Sequence, residues 1–352
     1  MQNLFGLDAA ETVNALAALN LPSYRAKQIR RWLYERGVTS FAMMTDLPKE
    51  LRAALAAEFV IDRGDVKAEL NSQDGLTTKF LLSFSDGEAV ETVCMRHNYG
   101  HGICVSSQAG CNMGCAFCAS TLNGLRRDLT VGEMMAQVVL VDNFLRVKNS
   151  SASRQLDNLV IMGSGEPLNN YANVLKFIRL LGDKTGLNFG YRRITLSTSG
   201  IVPRIYDLSK EKLPLNLSVS LHAPTDELRS RLMPVNNRYP LSELIPAADY
   251  YAKKTGRRVT YEYILIDGVN DRPTDAAALV KLIAAQCAAV NVIPINPVPE
   301  RGFKRPSSKK ANAFAAYLNS HHVPTTIRKE MGADIAAACG QLRNKFMGLS
   351  IL

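Results

Sequence analysis

The sequence predicts an α/β protein, a partial (β/α)6 barrel that is open on one side and carries a small N-terminal α+β accessory domain. From about residue 100 onwards, short apolar segments alternate with longer amphipathic ones, which is typical of parallel strands joined by helical crossovers. Before that point, helical periodicity gives way to short strands separated by turn dipeptides. Ligands of such a barrel are expected at the carboxyl ends of its strands.

The accessory domain, residues 1–97, is expected to begin with three helices, because apolar residues recur at helical spacing up to about residue 60. Three strands should follow, at residues 66–70, 77–83 and 89–95. The dipeptides Asp74-Gly75 and Asp86-Gly87 lie between them and favour hairpin turns.

The barrel is expected over residues 98–330, and a C-terminal segment over residues 331–352. The predicted strands of the barrel are residues 103–106, 158–162, 194–197, 215–221, 259–265 and 290–294. Its predicted helices are residues 131–148, 170–182, 226–231 with 241–254, 274–286 and 308–320.

Composition limits the class of protein. The chain has 352 residues, of which 47% are hydrophobic, so it can bury a large core. It has no apolar stretch long enough to span a membrane and no secretory signal pattern, and its seven cysteines suit a reducing compartment, so a cytoplasmic protein is expected. The net charge of +10 favours a polyanionic partner, although charge alone is a weak signal.

The most informative motif is the run from Cys111 through Cys115 to Cys118, a C-x3-C-x2-C pattern. Three thiolates in eight residues can hold three irons of a [4Fe–4S] cluster and leave the fourth iron open for a substrate. A zinc site would need a fourth ligand, and the nearby Cys104 and His101 keep that alternative open. The third possibility is that these three cysteines bind no metal.

Other candidate residues follow predicted strands. Gly165 and Glu166 belong to a Gly-Ser-Gly-Glu-Pro turn, where glycine permits close approach of the backbone to a ligand. His222 and Asn296 also lie just after strands, but as isolated residues each is more typical of a structural role. By composition alone, Cys339 between alanine and glycine is more typical of a buried small residue than of a nucleophile.

The triad, with Phe117 before its last cysteine, resembles the radical S-adenosylmethionine (SAM) superfamily, in which the open iron binds SAM and reduction yields a 5′-deoxyadenosyl radical. Together with residues 104–111, 165–167, 220–224 and 338–342, it closely resembles the RlmN family over nearly the whole chain. These bacterial enzymes methylate C2 of an adenosine in the peptidyl-transferase region of 23S rRNA and of the adenosine 3′ of the anticodon in some tRNAs. The sister family Cfr methylates C8 of the same rRNA adenosine; Glu166-Pro167 and the run from Asn296 are more similar to RlmN.

The resemblance implies a role for each matching residue. Cys111, Cys115 and Cys118 would bind the cluster. The SAM site would comprise Gly165, Glu166, Ser197, Ser220, Leu221, His222 and Asn296. Cys339 would carry a methyl group taken from a first SAM, Glu91 would accept the C2 proton, and Cys104 would resolve the protein–RNA crosslink by forming a disulfide with Cys339.

The resemblance also implies partners, namely 23S rRNA, tRNA and an electron donor of the flavodoxin type, with a monomeric enzyme expected. Basic residues of the second helix are candidates for gripping RNA: Arg25, Lys27, Arg30 and Arg31. Cys94 and Cys287 match no family position and are expected to be buried. The remaining alternatives are a radical SAM enzyme acting on a non-RNA substrate and a non-catalytic [4Fe–4S] protein that binds RNA or senses redox state.

Overall fold

The structure, a computed structural model, describes residues 1–343. These residues form strands β1 (Gln2–Asn3), β2 (Phe59–Val60), β3 (Asp65–Asn71), β4 (Thr77–Ser83), β5 (Ala89–His97), β6 (Gly100–Cys104), β7 (Gln108–Gly110), β8 (Leu125–Asp128), β9 (Leu156–Ile161), β10 (Ile194–Thr198), β11 (Asn216–Ser220), β12 (Val259–Leu265), β13 (Ala288–Pro294) and β14 (Thr325–Ile327). The helices are α1 (Ala9–Leu16), α2 (Ser23–Arg30), α3 (Lys49–Glu58), α4 (Val131–Lys148), α5 (Tyr171–Leu181), α6 (Val202–Leu208), α7 (Asp226–Leu232), α8 (Leu241–Thr255), α9 (Pro273–Ile283) and α10 (Ser308–Ser320).

Ten strands form one curved sheet, and the predicted partial barrel with an N-terminal accessory part is confirmed. The spatial order is β14-β13-β12-β11-β10-β9-β6-β5-β4-β3. Pairing is parallel from β6 to β14, as right-handed helical crossovers require, and antiparallel from β3 to β6. The carboxyl ends of the parallel strands therefore lie along one edge, where the candidate residues follow them.

Local sequence determines where the first barrel helix begins. Thr130 caps α4 by accepting a hydrogen bond from the Glu133 amide at 3.2 Å, and the Glu133 carboxylate accepts from the Thr130 amide at 2.8 Å. This reciprocal capping box satisfies two amides that would otherwise lack partners at the helix start. The helix then buries most of its residues against α5, β9 and the accessory part, where Asn143 donates to the Gly37 carbonyl, and its bounds match those predicted from the sequence.

The predicted boundary at residue 97 lies inside a hairpin of the continuous sheet. β5 pairs with β6 across this boundary, with Val93 opposite Cys104 and His97 opposite Gly100. The strands of the accessory part are therefore hydrogen-bonded directly to the barrel, and the division into domains stays a prediction. Of the predicted C-terminal segment, residues 344–352 lie outside the described part of the chain.

The N-terminal helices pack on the barrel through an arginine that the sequence analysis assigned to RNA. Arg30 is 1% exposed, and its guanidinium donates to Asp183, to the Leu7 carbonyl and to Thr185. The prediction that Arg30 grips RNA is wrong, because a side chain buried in this ion pair cannot reach a phosphate. The neighbouring Arg31 is exposed and remains accessible.

The two unassigned cysteines differ in exposure. Cys94 is buried, as expected, whereas Cys287 is exposed, so its predicted burial is wrong. Cys287 lies in the short connection between α9 and β13, which runs along the surface. A separate result concerns membranes: no helix within residues 1–343 is long and apolar enough to cross one.

Candidate active site

A cavity of about 1250 Å³ lies inside the curve of the sheet. Its lining includes residues from eight strands, β5, β6 and β9 to β14, and from the C-terminal segment, among them Cys104, Asn296 and Cys339. Three residues that are far apart in the sequence, two of them cysteines, thus line one cavity. The cysteine triad lies beside this space, on the loop between β7 and β8.

The triad loop is compact because it closes on glycines. The Cys111 amide donates to the Gly124 carbonyl at 3.1 Å, and the Cys118 amide donates to the Cys115 carbonyl at 3.2 Å. Gly110, directly before the triad, has φ of 78°, and a Cβ there would lie 2.0 Å from the Gly124 oxygen. Only glycine fits this position, so the motif needs its preceding Gly to bring three thiols onto one short loop.

The electrostatics of the three thiols call for a cation. Burial raises the pKa of Cys111 to about 12, raises that of Cys115 well above its usual value, and raises that of Cys118. Buried thiols with raised pKa values become thiolates only beside a strong positive charge, which iron supplies when it binds. The donor set of three sulfurs therefore fits a [4Fe–4S] cluster.

The alternative zinc site does not fit. His101 and Cys104 are an odd number of positions apart on β6, so their side chains point to opposite faces of the sheet. Within residues 1–343, no three His, Cys, Asp or Glu side chains converge closely enough to hold a single ion. In a cluster each thiolate binds a different iron, so its sulfurs are spread more widely than the ligands of one zinc.

The turn after β9 brings backbone close to backbone. A Cβ on Gly163 would lie 2.5 Å from the Ser106 hydroxyl, and one on Gly165, whose φ is 107°, would lie 2.5 Å from Gln108 Cβ. Ser164, which lies between these two glycines, is buried, and its hydroxyl donates to the Gly110 carbonyl at 3.3 Å. The serine is accommodated and ties this turn to the start of the triad loop.

The Glu166 carboxylate lies in the buried interior between strand ends. It accepts from the Leu168 amide at 3.0 Å, from Thr198 Oγ1 at 2.8 Å and from the Ser199 amide at 2.6 Å. Burial raises the pKa of Glu166, and the Ser199 contacts oppose that effect. A carboxylate has about four acceptor positions, so about one remains for an ammonium group.

His222 is fixed by its backbone and its ring. It has φ of 58°, a sparsely populated conformation for a residue with a side chain. Its Nδ1 accepts from the Ile264 amide at 2.9 Å, and its ring meets the edge of Phe117 with centroids 4.9 Å apart. Burial lowers the pKa of His222 to about 3, so the ring is neutral and packs against the triad loop.

The remaining residues of the predicted SAM site also lie at strand ends. Ser197 is in β10, Ser220 ends β11, and Leu221 is fully buried. Asn296 Nδ2 donates to the Cys339 carbonyl at 3.1 Å, and its Oδ1 accepts from Arg305 at 3.2 Å. Asn296 thus links the barrel rim to the segment that carries Cys339.

Arg229, which no sequence pattern singled out, holds this rim together. Arg229 is fully buried in α7, and its guanidinium donates to the carbonyls of Ser199 at 2.7 Å, Ser220 at 3.1 Å and Leu221 at 3.2 Å. It joins the ends of two parallel strands at the predicted SAM site. No local pattern separates it from the exposed arginines, because its role depends on contacts across the sheet.

The Cys339 segment lies over the triad loop. The Gly340 carbonyl accepts from the Ala119 amide at 2.8 Å, and the Leu342 carbonyl accepts from Ser120 Oγ at 2.9 Å. Gln341 Nε2 donates to the Pro297 carbonyl at 3.1 Å. These contacts hold the half-buried Cys339 beside the loop of the three cysteines.

Cys104 ends β6 and packs against the same segment. It is 8% exposed and lies in a small apolar cluster with Val93, Ala337 and Leu342. The pKa of Cys104 is raised to about 12, chiefly by burial and also by the charge of Cys339, while Arg328 opposes the rise. Both cysteines are free thiols in the structure. The structure thus brings the two distant cysteines to one cavity, and their exchange chemistry stays a prediction.

Glu91 lies on the neighbouring strand, in a buried ion pair. Lys79 Nζ is 2.7 Å from Glu91 Oε1, and the Arg343 amide donates to Glu91 Oε2. Lys79 Nζ also donates to the Ala336 carbonyl at 3.2 Å. Burial raises the pKa of Glu91, and the Lys79 charge lowers it. Lys79 is a second residue that the sequence analysis missed, because the pair depends on strand register.

Comparisons with known proteins agree along almost the whole chain. Residues 105–280 match the model of the radical SAM superfamily, and residues 2–61 match that of the ribosomal RNA large subunit methyltransferase N-terminal domain. A Symbiobacterium thermophilum protein named as a probable dual-specificity RNA methyltransferase RlmN is 49% identical, covering 98% of this chain and 92% of its own. A Bacillus licheniformis protein of the same name is 48% identical, covering 97% and 94%. The crystal structure of a radical SAM methyltransferase from Sphaerobacter thermophilus superposes with a TM-score of 0.94 at 46% identity, covering 98% of this chain and all of that one.

Proposed function

Since the chain belongs to the RlmN family of radical SAM methyltransferases, we propose that it methylates C2 of an adenosine in the peptidyl-transferase region of 23S rRNA and of the adenosine 3′ of the anticodon in some tRNAs. The observation that supports this most is that Cys104 and Cys339 line one cavity, in addition to the three cysteines of the triad loop. A radical SAM enzyme without a methyl carrier needs no such pair of thiols.

In this proposal Cys111, Cys115 and Cys118 hold the [4Fe–4S] cluster. When bound and reduced, the cluster supplies the electron that cleaves SAM to a 5′-deoxyadenosyl radical. The proposed SAM residues are Gly165, Glu166, Ser197, Ser220, Leu221, His222 and Asn296. The free acceptor position of the Glu166 carboxylate suits the SAM ammonium group, and the tightly packed glycines let its backbone approach.

Cys339 first takes a methyl group in a displacement. Its thiolate sulfur forms a bond to the methyl carbon, the carbon–sulfonium bond breaks, and S-adenosylhomocysteine leaves with the electron pair. This route is needed because C2 of adenine is an electron-poor aromatic carbon and does not attack SAM. The position of Cys339 over the triad loop supports its access to SAM bound there.

The 5′-deoxyadenosyl radical takes one hydrogen atom from the methyl group on Cys339, and the carbon radical that remains adds to C2 of the adenine. Glu91 then accepts the C2 proton, and one electron leaves the adduct in the reverse of the reduction that opened the cycle. The buried ion pair of Glu91 with Lys79 supports this role of Glu91, because Lys79 favours the ionised carboxylate that a base requires.

The Cys104 sulfur, having lost its proton, then attacks the sulfur of Cys339, and the bond from that sulfur to the RNA-bound carbon breaks. The carbon keeps the electron pair and takes up a proton, so methylated RNA leaves and the two cysteines end as a disulfide. An external reductant, for which a flavodoxin-type donor is our candidate, returns them to thiols.

Anaerobic incubation of reconstituted protein with SAM, a reductant and a 23S rRNA fragment tests the proposal, with nucleoside mass spectrometry of the digest. 2-Methyladenosine is the expected product. 8-Methyladenosine would assign the chain to Cfr-type chemistry instead. 5′-Deoxyadenosine without a methylated nucleoside would show that the substrate is not this RNA, and repeating the assay with unmodified tRNA separates the two RNA classes.

A further inference from the structure

A pair of stacked aromatic rings lines one end of the cavity and has no role in the proposal above. The pair lies at the turn between β5 and β6, where the rings of His97 and Tyr99 have centroids 4.8 Å apart and planes inclined by 6°. His97 is half-buried, Tyr99 is 70% exposed, and both line the cavity. One face of the Tyr99 ring lies on His97, so the opposite face is open to a ligand.

A glycine supports this pair of rings from beneath. A Cβ on Gly102 would lie 3.4 Å from Nε2 and 3.6 Å from Cδ2 of His97, so the His97 ring packs over bare backbone of β6. Burial lowers the pKa of His97, and the charges of Arg328 and Lys329 lower it as well, so the ring is neutral at pH 7. Strand backbone, His97 and Tyr99 thus form successive layers. A ring that is already held in place loses little freedom when a ligand stacks on it.

The lining of the cavity carries an excess of positive charge. Its cationic side chains are Arg96, Arg257, Arg258, Arg328 and Lys329. Its carboxylates are Glu262 and Glu330, and Glu330 is paired with Arg305 at 2.7 Å. Within residues 1–343, none of the five cations has a carboxylate oxygen within 4 Å. The cavity is therefore suited to an anionic ligand.

Three of these cations are exposed and come from separate elements. Arg96 lies in β5 opposite His101, Arg258 directly precedes β12, and Lys329 follows β14. Lys329 is close enough to the stacked rings for its charge to lower the pKa of His97. Cations on three elements beside an open aromatic face suit an extended polyanion that carries aromatic groups, which describes single-stranded nucleic acid.

Strand geometry decides which nucleotide the Tyr99 ring can hold. Gly100 and Cys104 are the two ends of β6, so the strand carries the chain about 13 Å from the turn to the thiol, at about 3.3 Å per residue. In the proposed reaction the target adenine joins the carbon on Cys339, close to Cys104. A base that lies on Tyr99 therefore belongs to another nucleotide of the same RNA.

We propose that Tyr99, supported by His97, is a stacking platform for a nucleobase near the target adenosine, and that Arg96, Arg258 and Lys329 bind phosphates of the same strand. This inference rests on the proposed function, because it concerns how the RNA of that reaction is held. A base that is withdrawn from its stack leaves its neighbours without a stacking partner. The Tyr99 ring replaces that partner and keeps the strand at the cavity while the target base lies inside.

RNA binding without turnover tests the proposal. Anaerobic protein that carries its cluster but no SAM is titrated into a labelled 23S rRNA fragment and, separately, into an unstructured RNA of mixed sequence, and fluorescence anisotropy gives the affinity. Tyr99→Ala should weaken the binding of both RNAs about tenfold, the usual size of one base-on-aromatic contact, which tolerates any sequence. Tyr99→Phe and Tyr99→Trp should keep the affinity, because each keeps a ring. Tyr250→Ala is the matched control, since Tyr250 is an exposed tyrosine of α8 that does not line the cavity.

The salt dependence of the same affinities separates the ring from the cations. Arg96→Gln, Arg258→Gln and Lys329→Gln should each lower the slope of log affinity against log salt by about 0.7, as loss of one phosphate contact with a single strand implies. Tyr99→Ala should lower the affinity at every salt concentration and leave the slope unchanged, because stacking releases no counterions. Arg204→Gln is the control for charge, since Arg204 is exposed and paired with a carboxylate of its own helix, α6.

Photocrosslinking gives a second result that does not depend on how the variants fold. The mixed-sequence RNA is made with 4-thiouridine, bound to the unaltered protein and irradiated. Trypsin releases residues 97–126, the peptide that contains Tyr99, and mass spectrometry locates the attached nucleotide. Attachment at Tyr99 is expected, and attachment that occurs only on other peptides would contradict the proposal.

Three further outcomes would overturn the proposal. The first is equal affinity of Tyr99→Ala and the unaltered protein for both RNAs, and the second is binding by Tyr99→Phe that is as weak as that of Tyr99→Ala. The third is unchanged RNA binding together with slower reduction by a flavodoxin-type donor, which would assign this surface to a protein partner. Failure of the proposed function is distinct from these results, since it would appear as no methyladenosine from the unaltered protein.

Discussion

Lys79 and Glu91 form a buried ion pair between adjacent strands, with Nζ and Oε1 2.7 Å apart and both side chains less than 10% exposed. The pair contacts the C-terminal segment twice, through the Ala336 carbonyl and the Arg343 amide. The candidate general base is thereby held at the same segment that carries the candidate methyl carrier. Charge and position of the carboxylate both depend on the lysine.

The first prediction concerns this lysine. Lys79→Met should raise the pKa of Glu91 further, because burial already raises it and the opposing charge is lost. The acid limb of methyladenosine formation should move to higher pH by about one unit or more, and Lys79→Arg should keep it near its original position. The measurement is product formation against pH. An acid limb that does not move in Lys79→Met would remove Glu91 from the role of base.

The second prediction separates the two thiols. Cys339→Ala should abolish RNA methylation while SAM cleavage continues. Cys104→Ala should instead accumulate a covalent protein–RNA species, because the crosslink forms and is not resolved. Denaturing electrophoresis with labelled RNA detects it. Cys287→Ala is the control, since that thiol is exposed and remote from the cavity lining, and it should behave as the original protein. Release of methylated RNA by Cys104→Ala would exclude the resolving role.

The third prediction concerns the N-terminal helices. Arg30→Ala should lower the free energy of unfolding by about 3–5 kcal/mol, since it leaves Asp183 without its buried partner. Arg31→Ala changes an adjacent, exposed arginine and should cost less than about 1 kcal/mol. Urea unfolding of the two variants measures the difference. Similar unfolding midpoints would show that the Arg30 pair does not join the helices to the barrel.

The fourth prediction is a pH dependence of stability. The pKa of His222 is lowered to about 3 in the folded protein, while the unfolded chain has the ordinary value of about 6.5. The unfolded state therefore binds more protons between these values, and stability is present above about pH 6.5 and falls as pH decreases. From about pH 7 to about pH 5 this residue should cost the fold about 2 kcal/mol.

His222→Asn tests this dependence. Asparagine tolerates the positive φ of this position and can present an acceptor oxygen to the Ile264 amide, but it does not titrate. Urea unfolding of the two proteins at about pH 7 and about pH 5 should show a smaller loss in the variant. An equal loss in both proteins would assign the pH dependence to other groups.

The fifth prediction concerns the turn at the SAM site. Gly165→Ala should weaken SAM binding at least about tenfold, because its Cβ would lie 2.5 Å from Gln108 and displace the backbone that approaches the ligand. Gly268→Ala is the control: Gly268 also has positive φ, at 69°, but a Cβ there meets nothing within 4 Å. Equilibrium dialysis with SAM compares the two. Equal SAM affinity in both variants would place the ligand away from this turn.

Much of the barrel could be predicted from the sequence because its segments are long and strongly patterned. The bounds of β4 and β12 and of α4 and α10 agree with the predicted ones to the residue. β14 was missed, because three residues, Thr-Thr-Ile, carry no period that separates a strand from a loop. Arg328, which directly follows β14 and lines the cavity, was not predicted either.

For the candidate site, too, some residues could be predicted from the sequence and others could not. Residues inside a contiguous motif, such as Cys111 and Glu166, could be assigned from the sequence through the resemblance. Residues that act across the fold could not, as with Lys79 and Arg229, because strand register and crossover geometry decide their contacts. Arg30 shows the reverse error: a basic cluster gives no sign that one of its members is buried in an ion pair.

The pairing of Val93 with Cys104 across the β5–β6 hairpin has a consequence for engineering. The strand that presents the candidate base and the strand that presents the candidate resolving thiol share one ladder of backbone hydrogen bonds. The accessory part is therefore not an exchangeable module: a graft joined at residue 97 would have to reproduce the register of that ladder to within one residue, since a slip of one position turns every side chain of the strand to the opposite face. Chimeras between relatives should accordingly be joined in the loop after β2, ahead of β3, and not within the hairpin.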